Sequence, residues 1–157
     1  MTRLYGRAPK GQRVVGSVPQ NWGRNITMLA ALSVAGIDAT MTVEGATDTD
    51  LFCTYVSEVL SPTLSQGDIV VMDNLSAHKA QKVRELIEAR GARLVYLPPY
   101  SPDFNPIERC WSKIKTYLRA VKARSSERLD EAIKKAFETI PESDARAWFK
   151  HCGYALR

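Results

Sequence analysis

Asp73 and Glu108 are the residues whose type and setting best suit chemistry. Asp73 directly follows Ile69-Val-Val-Met72, an apolar, β-branched run that reads as a strand buried on both faces. In open α/β sheets the functional crevice lies at the carboxyl ends of strands, so an acid there is placed to hold a metal. The same Asp73-Asn74 pair also suits a simple Asx turn. Glu108 falls at the third position of a helix that opens with Pro106 after an Asn105 N-cap. It reads either as the partner in a capping box or as a carboxylate that the helix N-terminus aims rigidly. Glu108, Ser112, Lys115 and Arg119 step by 4, 3 and 4 and share one flank of that helix. A carboxylate followed by two cations suits a metal beside a phosphate backbone, and equally suits a solvated face. Mg²⁺ is a hard cation that takes oxygen ligands and keeps several waters, so two carboxylates can bind it. Two-metal phosphoryl chemistry usually asks for about three, and the sequence supplies two.

The elements that must position these residues are legible. Ile26–Val34 is apolar and long enough for a buried strand, Ala35-Gly36 turns, and Ile37–Val43 alternates as its hairpin partner. A helix capped by Asp48 or Thr49 runs to about Leu60, with Leu51, Phe52, Tyr55, Val56 and Val59 on one face, and Pro62 ends it. After Ile69–Met72, Ser76 is expected to cap a helix with Ala80, Val83, Leu86 and Ile87 inward, stopped by Gly91. Arg93–Leu97 is the next strand, completing a right-handed βαβ crossover. Pro98–Asn105 cannot be regular structure. The helix from Pro106 should turn Ile107, Trp111, Ile114, Leu118 and Val121 inward, and shorter helices follow over 126–139 and 143–151. Residues 1–25, rich in Gly, Arg and Pro, read as loop with room for a short strand. This is a mixed α/β sheet covered by helices.

The 157 residues fit one domain. A net charge of +5 favours a polyanionic partner. Cys53, Cys110 and Cys152 are odd in number and far apart, so neither a disulfide framework nor a zinc site is indicated, and buried free thiols are expected. His151-Cys152 is too compact to be half of a tetrahedral site. The N-terminus has no secretory h-region and no apolar run spans a bilayer. A soluble, intracellular protein without membrane contact is expected.

Val71-Met-Asp73-Asn74-Leu-Ser-Ala-His78 and Leu97-Pro-Pro-Tyr-Ser-Pro-Asp-Phe-Asn-Pro-Ile-Glu108-Arg-Cys-Trp111-Ser-Lys-Ile-Lys115 resemble the DDE transposases of bacterial insertion sequences, prokaryotic relatives of mariner elements. The thirty-four residues between Asp73 and Glu108 (74–107) match that superfamily's spacing between its second and third carboxylates. Weaker similarity runs from Arg3-Leu-Tyr-Gly-Arg-Ala-Pro to Gly45-Ala-Thr, and the whole covers most of residues 1–123. The resemblance implies an RNase H-like fold over 1–123 with a helical tail, 124–157, packed on the same domain. It implies Mg²⁺- or Mn²⁺-dependent cleavage at transposon ends followed by strand transfer into target DNA. Asp73 and Glu108 would be catalytic metal ligands, and Lys115, Arg119, Arg109, Lys113, His78 and Asn74 would contact DNA. A homodimer is expected in the assembled complex. The family's first aspartate belongs on a central strand just upstream of Arg3-Leu-Tyr, whereas the sequence opens with Met1-Thr2. The sequence therefore reads as a C-terminal piece lacking its first, central strand, inactive alone and served by an upstream transposase fragment. A non-catalytic DNA-binding or assembly fragment is the second reading, and an unrelated RNase H-like nuclease a third that the Asn105-Pro-Ile-Glu108 block opposes.

Overall fold

The computed structural model describes residues 5–16 and 25–156. The expectations for residues 1–4 and 17–24 lie outside those described. Tyr5–Gly16 is exposed and without regular structure apart from a turn. Strands β1 (Ile26–Ser33) and β2 (Gly36–Glu44) form the expected antiparallel hairpin. Gly36 pairs with Ser33 across the turn at φ +133°, a conformation that disfavours a side chain. A bulge sets Ala39 and Thr40 opposite Ala30, and Asp38 Oδ1 accepts from the Ala39 amide at 2.7 Å to hold it.

Helix α1 (Thr49–Tyr55) starts on Asp48, whose carboxylate accepts from Leu51 N at 2.8 Å. Helical turns continue through Val56–Leu60 and Ser61–Thr63, so Pro62 lies within the terminating turn. Strand β3 (Ile69–Met72) leads through a short turn (Ser76–Lys79) to α2 (Gln81–Glu88) and back to β4 (Arg93–Tyr96), parallel to β3. Ser76 opens the short turn rather than capping α2, whose N-cap is Ala80 without a side-chain bond. Gly91, at φ +73°, ends that turn of chain as expected. Helices α3 (Pro106–Val121), α4 (Ser126–Glu138) and α5 (Glu142–His151) complete the chain.

The hairpin is apolar on both faces and lies between two cores. Leu29, Ala31 and Met41 pack on a core built from Phe52, Tyr55, Val56, Val83, Ile87, Met72 and Leu94. Ile26, Met28, Leu32 and Ile37 pack on the other, built from Cys110, Ile114, Leu118, Ala132, Ile133 and Ala136. The second core is therefore an α3–α4 interface seated on β1 and β2. The mixed sheet is present as two ladders, β1–β2 and β3–β4, with no pairing between them among the described residues. They still share the first core. The expectation that β3 is buried on both faces is corrected: Met72 is buried, but Ile69 is 55% exposed and Val95 on β4 is 37% exposed. α3 and α4 cover the hairpin, and the far face of β3–β4 is left open.

Candidate active site

The ends of β3 and β4 are fastened together. Leu97 N donates to Met72 O at 2.8 Å, and Asn74 Nδ2 donates to the Leu97 carbonyl. Asn74 thus ties the end of β3 to the end of β4. Asp73, between them, is held at the carboxyl end of a parallel strand pair. Its Oδ1 accepts from Leu75 N at 3.1 Å, so the Asx turn is present. The same oxygen lies 2.7 Å from His78 Nδ1, and the Asp73 side chain is 41% exposed. The turn uses one carboxylate oxygen and leaves the other without a partner among the described residues.

The chain then runs through Leu97–Asn105 to α3. Tyr154 Oη donates to Phe104 O at 3.0 Å, and tight turns place Phe104 N on Ser101 O and Asn105 N on Pro102 O. The loop is pinned, and it presents Tyr100, fully exposed and at φ +58°, to solvent. Asn105 precedes α3, but its side chain makes no capping bond. The expected capping box is absent: Glu108 is exposed, and its carboxylate has no partner among the described residues. What would have engaged Glu108 structurally is missing, and the positive end of a 16-residue helix favours its charge.

The cations divide sharply. Ser112, Lys115 and Arg119 are exposed on the flank of Glu108, and neither cation has a partner among the described residues. Lys113, expected at DNA, donates to Asp144 Oδ2 at 2.6 Å and to Thr139 O at 2.7 Å, tying α3 to α5. Arg109 meets His151 Nε2. Both therefore already have partners on α5. His78 is turned inward, its side chain 18% exposed against Phe52 and Asp73. Phe52, which carries the His78 ring, and Tyr96, which bonds its carbonyl, were not anticipated from the sequence. Long-range packing of α1 and β4 places them there, and no local pattern signals it.

All three cysteines are free and buried. Burial pushes the Cys110 thiol up to about 12, against a lowering by Lys113. Burial also raises Cys152, against Arg109. These thiols are neutral and suited to packing, not to metal binding. Among the described residues no group of three acidic, His or Cys side chains could hold a metal. Asp73 and Glu108 fit part of a hard-cation site: both are oxygen donors, and each has a carboxylate oxygen without a partner among the described residues.

A parallel β3–β4 pair bearing an acid at its carboxyl end, with a hairpin beside it and helices packed on that hairpin, makes a mixed α/β fold. A family profile described as DDE superfamily endonuclease matches residues 1–130, and the chain belongs to that family. It is 22% identical over 125 residues to the Tcb2 transposase of Caenorhabditis briggsae, covering 77% of this chain and 46% of that protein. It is 29% identical over 80 residues to the Tc1 transposase of Caenorhabditis elegans, covering 51% of this chain and 29% of that protein. The chain thus spans less than half the length of these curated relatives. The crystal structure of the Mos1 mariner paired end complex with Mn matches 97% of this chain and 48% of that one, with a TM-score of 0.74 at 15% identity. That likeness carries the fold.

Proposed function

We propose that the chain is the catalytic half of a DNA transposase, with residues 1–123 as the catalytic domain and 124–157 as its helical tail. It would cleave DNA at transposon ends and transfer the freed strand to target DNA. The observation that carries this reading is the pair of carboxylates, Asp73 and Glu108, each with an uncommitted oxygen, on either side of one pinned loop. Asp73 and Glu108 would hold Mg²⁺ or Mn²⁺, which when bound supplies a Lewis acid at the phosphate and an activated nucleophile. Glu108 lies in the first turn of α3 and Asp73 in its Asx turn, so both would approach the reacting phosphate on rigid backbone. Lys115 and Arg119 extend the same flank and would track the DNA backbone electrostatically.

The third carboxylate would come from a strand supplied by an upstream segment. Two ladders that share a core without pairing among the described residues leave strand edges to which such a strand could bond. A homodimer acting on nucleoid DNA in the cytoplasm completes the proposal. One observation favours a second reading, a non-catalytic DNA-binding or assembly fragment: no group of three ligands is found among the described residues. The deciding experiment compares Mg²⁺-dependent nicking of transposon-end DNA by this chain and by a version extended upstream through an aspartate. The proposal expects activity in the extended protein, abolished by Asp73→Asn and by Glu108→Gln, and none in the short chain. An extended protein that binds DNA but nicks no better than its Asp73→Asn variant would establish the second reading instead.

A further inference from the structure

We propose that Tyr100 is a stacking platform for one unpaired nucleobase of DNA lying across the Asp73–Glu108 site. The inference rests on the reading that this site acts on DNA, and adds to it a contact made with a base rather than with phosphate.

The Tyr100 ring is fully exposed, so packing does not account for it. Its backbone sits at φ +58°, a left-handed conformation that glycine adopts freely and a bulky residue adopts under strain. A turn alone would be served better by glycine, and what the strained backbone delivers is a ring in solvent. The loop around it has little freedom. Pro98, Pro99 and Pro102 each fix φ. Ser101 Oγ donates to Pro99 O at 3.3 Å, Phe104 N to Ser101 O at 3.2 Å, and Tyr154 Oη to Phe104 O at 3.0 Å. A ring fixed before its ligand arrives loses little entropy on binding.

Chain length sets where that ring can be. Leu97 N is bonded to the carbonyl of Met72, the residue before Asp73. Three peptide units carry the chain on to Tyr100, so its Cα lies within about 11 Å of the Leu97 Cα. The same loop then delivers Glu108 in the first turn of α3. Leu75 and Phe104, both more than half exposed, add apolar surface to the segments that leave β3 and enter α3. Beyond Glu108, the exposed Lys115 and Arg119 continue the flank with positive charge, which favours a polyanion over a protein surface. An exposed aromatic ring beside carboxylates and cations suits a nucleobase. Every base offers a π-face, and it reaches such a ring once it has left its pair and its stack.

The test is a comparison of two duplexes with the same number of phosphates, one fully paired and one with a mismatch that frees a base near its end. Their affinities for the 157-residue chain are read by fluorescence anisotropy in EDTA, where no strand is cut. The parent is expected to favour the mismatched duplex by about tenfold, and Tyr100→Ala to lose that preference while binding the paired duplex as the parent does. Tyr100→Phe keeps the ring and should stay within about twofold of the parent on both. If Tyr100→Ala does not fold, Tyr100→Gly, which suits the positive φ, replaces it with the same expectation. Parent-like preference in Tyr100→Ala, an equal loss on both duplexes, or a Tyr100→Phe as weak as Tyr100→Ala overturns the proposal. Loss of self-association in Tyr100→Ala with unchanged DNA binding would assign the ring to a second copy of the chain, and overturns it too. A parent that binds neither duplex would remove the DNA reading of the site, and this inference with it.

Discussion

On one side of α3, Arg109 and Lys113 end against α5, on His151 and on Asp144. On the other, Lys115 and Arg119 end in solvent beside Glu108. The four cations lie within eleven residues and look interchangeable in sequence. What separates them is the tail helix, whose acceptors lie 31 and 42 residues along the chain. A positive charge on a surface helix is therefore a candidate for DNA only after the tertiary acceptors have been counted. The carboxylates follow the same logic in reverse. Glu108 lacks the capping bond that would have explained it, and Asp73 forms its turn with one oxygen only.

The contrast can be broken first at the acids. Asp73→Asn and Glu108→Gln in the assembled enzyme should lower single-turnover cleavage by roughly a thousandfold, the loss of several kcal/mol of charge stabilisation. Circular dichroism should show both variants folded, and residual cleavage within tenfold of the parent would return both acids to structural roles.

The open flank comes next. Lys115→Ala and Arg119→Ala should each reduce the slope of log binding constant against log salt by about one, alike for all DNA sequences. Their urea midpoints should match the parent. Lys113→Ala is the mirror experiment. Its salt slope should be unchanged while stability falls by about 1 kcal/mol, because a partly exposed, screened ion pair is lost and the Thr139 carbonyl loses its donor. A lowered slope in Lys113→Ala, or a lowered midpoint in Lys115→Ala, would erase the distinction between the flanks.

The smallest effect is expected inside the α3–α4 core. The folded chain holds the Cys110 proton up to about pH 12, while the unfolded chain releases it from about pH 9. This contribution is fully present below pH 9 and is lost progressively as pH rises toward 12. Urea midpoints at pH 8 and pH 10 should fall less in Cys110→Ala than in the parent. Iodoacetamide at pH 8 should label no cysteine until urea unfolds the chain.

Much of this was legible in the sequence. Ile69–Met72 is the strand that its β-branching suggests, and Pro106 begins α3 as its fixed φ favours. The hairpin and the βαβ crossover follow from hydrophobic pattern and turn residues. Exposure was not legible, because a strand's apolar run does not say which helices reach it: Ile69 and Val95 stay open since α3 packs on β1. The inward face of α3 is likewise turned toward Pro106, Cys110, Ile114 and Leu118, leaving Val121 45% exposed, because α4 approaches from that side. At the site, Asp73 and Glu108 stood out by residue type and setting, while the partners of His78, Asn74, Arg109 and Lys113 depend on groups far along the chain.

The central claim is that Asp73 and Glu108 address one ion. Fe²⁺ used in place of Mg²⁺ generates hydroxyl radicals that cut the backbone next to the bound ion, and the cuts can be mapped by mass spectrometry. Cuts around both Asp73 and Glu108, lost together in Asp73→Asn, are the predicted result. Cuts confined to one of the two segments, or cuts at Glu108 that persist in Asp73→Asn, would contradict a shared site.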